Sequence, residues 1–256
     1  MNDDAFTLHL TAAELMCAAM ALGLAEVPLP GNPQFHQLPA DAPALITQGY
    51  DSLRQRGFLQ PISAGQWQVD SLIAILTYWI ASPDLTLQID VWSRQEQQRQ
   101  AAVYFWQEQP LWLLPTEDGY QLTLFRADGD WRRHCLDWLR CSTDQAVSDF
   151  TLQLPRLNLE KFLPLVWQQS EVVTPALARA GLSPEDAAHT IQSVQQAITL
   201  TWTQAQAKNP WHQALLLDTG NSVWGESGLA PEDEVVCLRP LRPEDLPKML
   251  IPVPAL

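Results

Sequence analysis

The chain opens on an alternation, with Phe6, Leu8 and Leu10 apolar against polar Thr7 and His9, which predicts a strand with one buried face. Thr11 and Glu14 follow at the spacing of a capping box, and Leu15, Ala18, Ala19 and Leu22 then recur at helical intervals. Gly23 and the prolines at 28, 30 and 33 close that helix, and a loop runs to Asp41. Asp41 and Pro43 open a second helix, Ala44 to Arg56, which ends at Gly57. Phe58 to Gln60 and Gln66 to Val69 read as a small hairpin, and Asp70 caps a helix from Ser71 to Ala81. After Pro83 the period becomes that of strands: Leu85 to Trp92, Ala101 to Glu108, Leu111 to Leu114 and Tyr120 to Arg126. Turns at Pro110 and at Glu117-Asp118-Gly119 make these an antiparallel meander. Asp128 caps a short helix with Trp131, Cys135, Trp138 and Leu139 on its apolar side.

The rest of the chain replays this order. A strand over 150–154 leads to a helix capped by Asn158, then helices over 174–181 and, capped by Ser183, over 184–196. Strands follow at Ile198 to Ala205, Ala214 to Asp218, Ser222 to Gly225 and Glu234 to Arg239, and a short helix at Pro243 to Leu250. The opening strands echo each other directly: a shift of 144 residues places Phe6, Thr7, Leu8 and Leu10 on Phe150, Thr151, Leu152 and Leu154. A shift of 113 places Thr86 and Leu87 on Thr199 and Leu200. The expected architecture is therefore α+β, with two pseudo-symmetric halves related by internal duplication. Each half is an antiparallel meander with helices, over residues 1–148 and 149–256, and the first carries an insertion over 41–70.

Composition makes this a folded chain, with 46% apolar and only 17% charged residues and 11 tryptophans. The charge is lopsided, 29 acidic against 15 basic residues and a net charge of −14, and both halves share the excess. Such a surface repels phosphate backbones, and no basic patch is visible to reverse that. The opening Met-Asn-Asp-Asp lacks a basic region leading into an apolar stretch, and no apolar run is long enough to span a bilayer. The expectation is a cytoplasmic protein with reduced thiols that binds neither nucleic acid nor membrane.

Candidate chemistry is sparse. His134, Cys135 and Cys141, with Cys237 or His212 at a distance, form the one cluster of zinc-ligand types. Their spacing is wrong for a zinc knuckle, and Cys135 falls on an apolar stripe, so a buried structural thiol is the better reading. The acid pairs Asp128 with Asp130, Glu185 with Asp186 and Glu244 with Asp245 stand at helix starts, where they serve the dipole. No phosphate loop or nucleophile elbow appears, so no catalytic residue, metal or cofactor is assigned. An enzyme built from distant segments stays open as an alternative, which a deep polar pocket at His134 or His212 would favour.

Two features suggest binding. Trp112, near the Glu108-Gln109-Pro110 turn, and Trp211, after Pro210, are candidate exposed anchors. The helix ending Leu53-Arg54-Gln55-Arg56-Gly57, followed by a hairpin with Trp67, resembles the recognition helix and wing of winged-helix proteins over residues 43–70. A DNA-binding regulator is thus a second alternative, although Asp41, Asp51 and Asp70 offset the two arginines.

The opening FTLHL strand, the helix from Thr11 to Leu22-Gly23-Leu24 and the run into Leu29-Pro30 resemble the start of the EspG family, cytoplasmic chaperones of type VII (ESX) secretion in actinobacteria. The helix closing on Arg56-Gly57, the helix before Ser82-Pro83, the meander and the repeated second half are similar too. The resemblance implies a non-enzymatic chaperone or adaptor whose partner is a secretion substrate, in that family a PE–PPE heterodimer. It implies binding through a sheet loop and the helices of the second half, here the Glu108 to Trp112 turn and the stretch from Asn158 to Ala197. The candidate partner-binding residues are Trp106, Gln109, Pro110, Trp112, Phe162, Val166, Trp167 and Trp211. Partner identity and oligomeric state are not legible.

Overall fold

The structure is a computed structural model, and it describes residues 5–24, 27–30, 42–63, 66–94, 98–126, 128–141, 152–155, 193–205, 212–229 and 235–251. Among them the elements are strand β1 (Ala5–Thr11), helices α1 (Ala12–Ala21) and α2 (Ala42–Gln55), strands β2 (Leu59–Ser63) and β3 (Gln66–Val69), and helix α3 (Ser71–Ala81). Strands β4 (Leu85–Ser93), β5 (Arg99–Trp106), β6 (Gln109–Pro115) and β7 (Gly119–Phe125) follow, then helix α4 (Asp128–Leu139) and strand β8 (Leu152–Pro155). Strands β9 (Gln196–Gln204), β10 (His212–Asp218), β11 (Val223–Leu229) and β12 (Val235–Leu241) lead to a 3₁₀ turn at Pro243–Asp245 and helix α5 (Leu246–Met249). The class is α+β with a large antiparallel sheet.

The chain forms two compact units, Met1–Leu87 with Gln100–Trp131, and Gln88–Arg99 with Arg132–Leu256. In the first, the strand order is β1-β7-β6-β5, with Leu85–Leu87 beginning β4. β1 pairs antiparallel with β7, Leu8 opposite Leu122 and Leu10 opposite Tyr120. Leu8 and Leu10, two residues apart, therefore face inward and join a core with Leu15, Leu53, Ile73, Leu76, Ile80, Tyr104 and Leu111, whereas Phe6, expected on the same buried face, is 44% exposed near the start of the strand. β2 and β3 form the separate hairpin.

α1 starts where the sequence predicts. The Thr11 hydroxyl accepts from the Glu14 N–H at 3.1 Å while the Glu14 carboxylate accepts from the Thr11 N–H at 2.8 Å. Glu14 does more, because its side chain is buried and also accepts from the Ser52 hydroxyl at 2.7 Å and the Arg56 guanidinium at 2.7 and 2.8 Å. α2 is thereby tied to α1, and Arg56 also donates to the His9 carbonyl at 2.9 Å. The two helices lie so close at Gly49 that a Cβ there would meet the Ala13 carbonyl oxygen at 2.1 Å. Beyond α1, Val27 and Leu29 turn into the core and the Tyr104 hydroxyl donates to the Pro28 carbonyl.

In the second unit the rest of β4 is followed by the order β9-β10-β11-β12-β8. β8 pairs antiparallel with β12, Leu152 opposite Leu238 and Leu154 opposite Val236. β8 thus pairs, as β1 does, with the last strand of the meander that follows it. Ile198, Leu200, Leu215, Leu216, Trp224 and Leu238 are buried. The Gln196 amide donates to the Asp218 carboxylate at 2.9 Å and to the Leu139 carbonyl at 3.1 Å, fastening the end of α4 to β9 and β10.

Two boundaries correct the sequence reading. The expected helix over 184–196 stops short, because Gln196 is already in β9 opposite Asp218. The turn expected at Pro110 lies earlier: Pro110 is in β6 opposite Phe105, and Gln107 and Glu108 make the turn. A proline has no N–H to donate, and near the start of a strand that omission is tolerated. The helices expected between Asn158 and residue 192 and the start of the 150–154 strand lie outside the described residues.

Candidate partner-binding site

The β5–β6 hairpin closes with Trp106 opposite Gln109 and only Gln107 and Glu108 between them. Both loop residues are left-handed, at φ 50° and 66°, the two-residue turn that matches strand twist but ordinarily takes Asn-Gly. Without glycine each such residue costs about 1–2 kcal/mol in backbone strain. A remote group holds the turn in place: the Asp84 carboxylate accepts from the Gln107 N–H at 2.8 Å, and the Asp84 N–H donates to the Phe105 carbonyl at 2.8 Å.

This turn lifts Trp106 to the surface, 44% exposed, with its ring edge-on to Trp79 at a centroid distance of 5.8 Å. Trp79 belongs to α3, which the sequence makes amphipathic in an unusual sense. Ile73, Leu76, Thr77 and Ile80 are buried, while the opposite side is also apolar, with Ile75 48% and Tyr78 47% exposed. No charged residue occurs from Ser71 to Pro83. The Tyr78 hydroxyl reaches the Leu22 carbonyl at 3.4 Å, next to exposed Met20 in the last turn of α1. The result is an aromatic and aliphatic surface on the first unit, with Asp84 following α3 in sequence and Glu108 in the turn.

The candidate residues separate on this surface. Trp106 and Gln109 are exposed at the hairpin, and Pro110 is buried beside them. Trp112 is fully buried, flanked by equally buried Leu111 and Leu113, which corrects its reading as an exposed anchor. A strand covered on both faces leaves no outward position for its ring. Phe162, Val166, Trp167 and Trp211 lie outside the described residues. Sequence reasoning missed Ile75, Tyr78 and Trp79, and the available signal was a thirteen-residue stretch without a charge in a helix too short to be buried all round.

Burial perturbs several titratable groups. Burial pushes the Cys135 thiol up and raises that of Cys141 to about 12, where Asp218 adds to the effect and Arg99 opposes it. Both are protonated, unreactive thiols at neutral pH. Burial lowers His134 and His212, with Asp137 opposing at His134. No group of three or more His, Cys, Asp or Glu side chains among the described residues is placed to hold a metal ion. No helix among them is long and apolar enough to cross a membrane.

The chain is α+β with a large antiparallel sheet, and its first unit carries an exposed aromatic surface. It is similar to a solved structure of the Mycobacterium tuberculosis type VII secretion system chaperone EspG5, determined in complex with the PE25–PPE41 dimer. The TM-score is 0.62, covering 96% of this chain and 94% of that one, at 13% sequence identity. At that identity the likeness is one of fold. No protein-family model matches the chain, and no curated protein sequence does.

Proposed function

We propose that this chain is a cytoplasmic, non-enzymatic chaperone or adaptor of EspG type that binds a partner protein, its partner being a type VII-like secretion substrate. The observation that carries the reading is the shared fold over nearly the full length of a chaperone solved with its protein partner bound. The exposed Trp106 on a strained, braced hairpin supports it, because recognition residues are commonly held on such turns. The like pairing of β1 with β7 and of β8 with β12, each the last strand of the meander that follows, supports an internal duplication.

Affinity capture from the native host tests the function. A tagged chain is expected to retain one defined protein, and Trp106→Ala to reduce its recovery severalfold while leaving the melting temperature within a few degrees. Recovery of no specific protein, together with turnover of a small molecule, would overturn the proposal.

A further inference from the structure

β1 stands at one end of the sheet order, with β7 on one side and no strand among the described residues on the other. Three contacts show which of its main-chain groups point outward. The Thr7 and Thr123 hydroxyls meet at 3.2 Å across the strands, the close approach of a residue pair that exchanges no main-chain hydrogen bonds. Two residues on, the His9 carbonyl accepts from the Arg56 guanidinium at 2.9 Å, and at Thr11 the N–H donates to the Glu14 carboxylate at 2.8 Å, both from outside the β1–β7 ladder. By alternation the N–H and C=O of Ala5 and Thr7 also point away from β7, and no hydrogen bond holds them on that side among the described residues.

Arg56 closes this edge at His9, because its guanidinium takes the place that a strand residue would fill there. Before that point the edge lacks the usual guards: Ala5–Thr11 contains no Asp, Glu, Lys, Arg or Pro and pairs with β7 without a bulge. Ala5, Phe6 and Thr7 are all exposed, Phe6 in phase with the buried Leu8 and Leu10. A strand laid beside β1 would cover that ring. The edge is complementary to itself. With a twofold axis at Phe6, Ala5 of each copy faces Thr7 of the other and exchanges N–H to C=O bonds with it, about four in all. His9 and its Arg56 stay outside this ladder. The two Phe6 rings meet at the axis, in the non-hydrogen-bonded position where cross-strand aromatic pairs come closest.

We infer that β1 is a self-association edge, through which two copies of this chain join antiparallel over Ala5–Thr7 and continue the sheet across a twofold axis at Phe6. The inference goes beyond the adaptor reading and does not depend on it. Two molecules of net charge −14 repel at long range, while the residues that pair are uncharged, so added salt strengthens the contact.

Sedimentation equilibrium of the full chain tests this. A monomer–dimer equilibrium is expected at about 100 μM protein, its association constant rising severalfold from about 20 mM to about 500 mM salt. Thr7→Pro removes an outward N–H and no β1–β7 bond, so it should weaken dimerisation about tenfold while leaving the melting temperature within a few degrees. Phe6→Lys, which sets two cations at the axis, should do the same with the main chain intact. Cross-linking reads the register: Phe6→Cys should join to its copy in a glutathione redox buffer, and Ala5→Cys, which faces Thr7 instead, should not. A wild type that stays monomeric, a dimer that dissociates as salt rises, or folded Thr7→Pro and Phe6→Lys variants that still dimerise would each overturn the inference. Equal cross-linking of the two cysteine variants would overturn it as well.

Discussion

Glu14 stands at the meeting of three elements, accepting from the Thr11 backbone, the Ser52 hydroxyl and the Arg56 guanidinium. Burial by itself would raise its pKa, but these hydrogen bonds and the positive charge of Arg56 outweigh burial and hold it below the ordinary carboxylate value. A depressed folded-state pKa means that the ionised form is stabilised by folding. That stability is fully present above the unfolded value of about 4.3 and is lost as pH falls through the lower folded value. Glu14→Gln should therefore cost about 2 kcal/mol at pH 7, by leaving Arg56 without its counter-charge. The cost is moderated because the Arg56 side chain is 36% exposed. Urea denaturation of both proteins across pH checks this: the gap should close as pH falls below about 4. A gap that is constant with pH would mean the carboxylate charge contributes nothing.

At the scale of elements, close approach of α1 and α2 depends on a residue with no side chain. Gly49→Ala would place a methyl 2.1 Å from the Ala13 carbonyl oxygen, and backbone on both sides has to shift to relieve it. The expected cost is about 3 kcal/mol, despite the gain in helix propensity, measured as a lowered denaturation midpoint with unchanged slope. A stabilised variant would show that the helices slide freely. Elements such as α1 and α3 were legible in the sequence because their start signals are local: Thr11 with Glu14, and Asp70 accepting from the Leu72 N–H at 2.9 Å. The β5–β6 turn was not, because Gln107-Glu108 has no turn chemistry of its own and takes its hold from Asp84, 23 residues away. Gln196 misleads for the same reason, a polar residue at a strand start whose partners Leu139 and Asp218 are remote. The burial of Trp112 was partly legible, since the Leu111–Leu114 run does not alternate and so suits a strand covered on both faces. The exposed side of α3 was hidden because an apolar residue at 75 or 78 looks the same in sequence whether it meets the core or a partner.

For the molecule as a whole, charge makes the functional readings that the fold leaves open predict different behaviour. α2 followed by the β2–β3 hairpin has the helix-and-wing form that DNA-binding modules use, and the two arginines at its end are what such a module would present. Both are engaged within the chain. Arg54 stacks over Trp67 at 5.3 Å, and Arg56 lies over Phe58 at 4.9 Å while its guanidinium is bound to Glu14. Freeing Arg56 for a phosphate would leave the buried Glu14 carboxylate uncompensated, a penalty of several kcal/mol that one phosphate contact cannot offset. Around them the chain carries a net charge of −14, which opposes the counterion-release gain that drives non-specific DNA binding. Fluorescent duplex DNA should therefore show no saturable anisotropy change with this protein even at about 20 mM salt, where phosphate contacts are strongest. Binding that weakens steeply with added salt would instead identify a regulator. The same field acts oppositely on a basic protein segment, accelerating its encounter at low salt and screened out as ionic strength rises. Measured on one preparation, insensitivity to DNA beside salt-dependent capture of a basic partner would separate an adaptor from a winged-helix regulator.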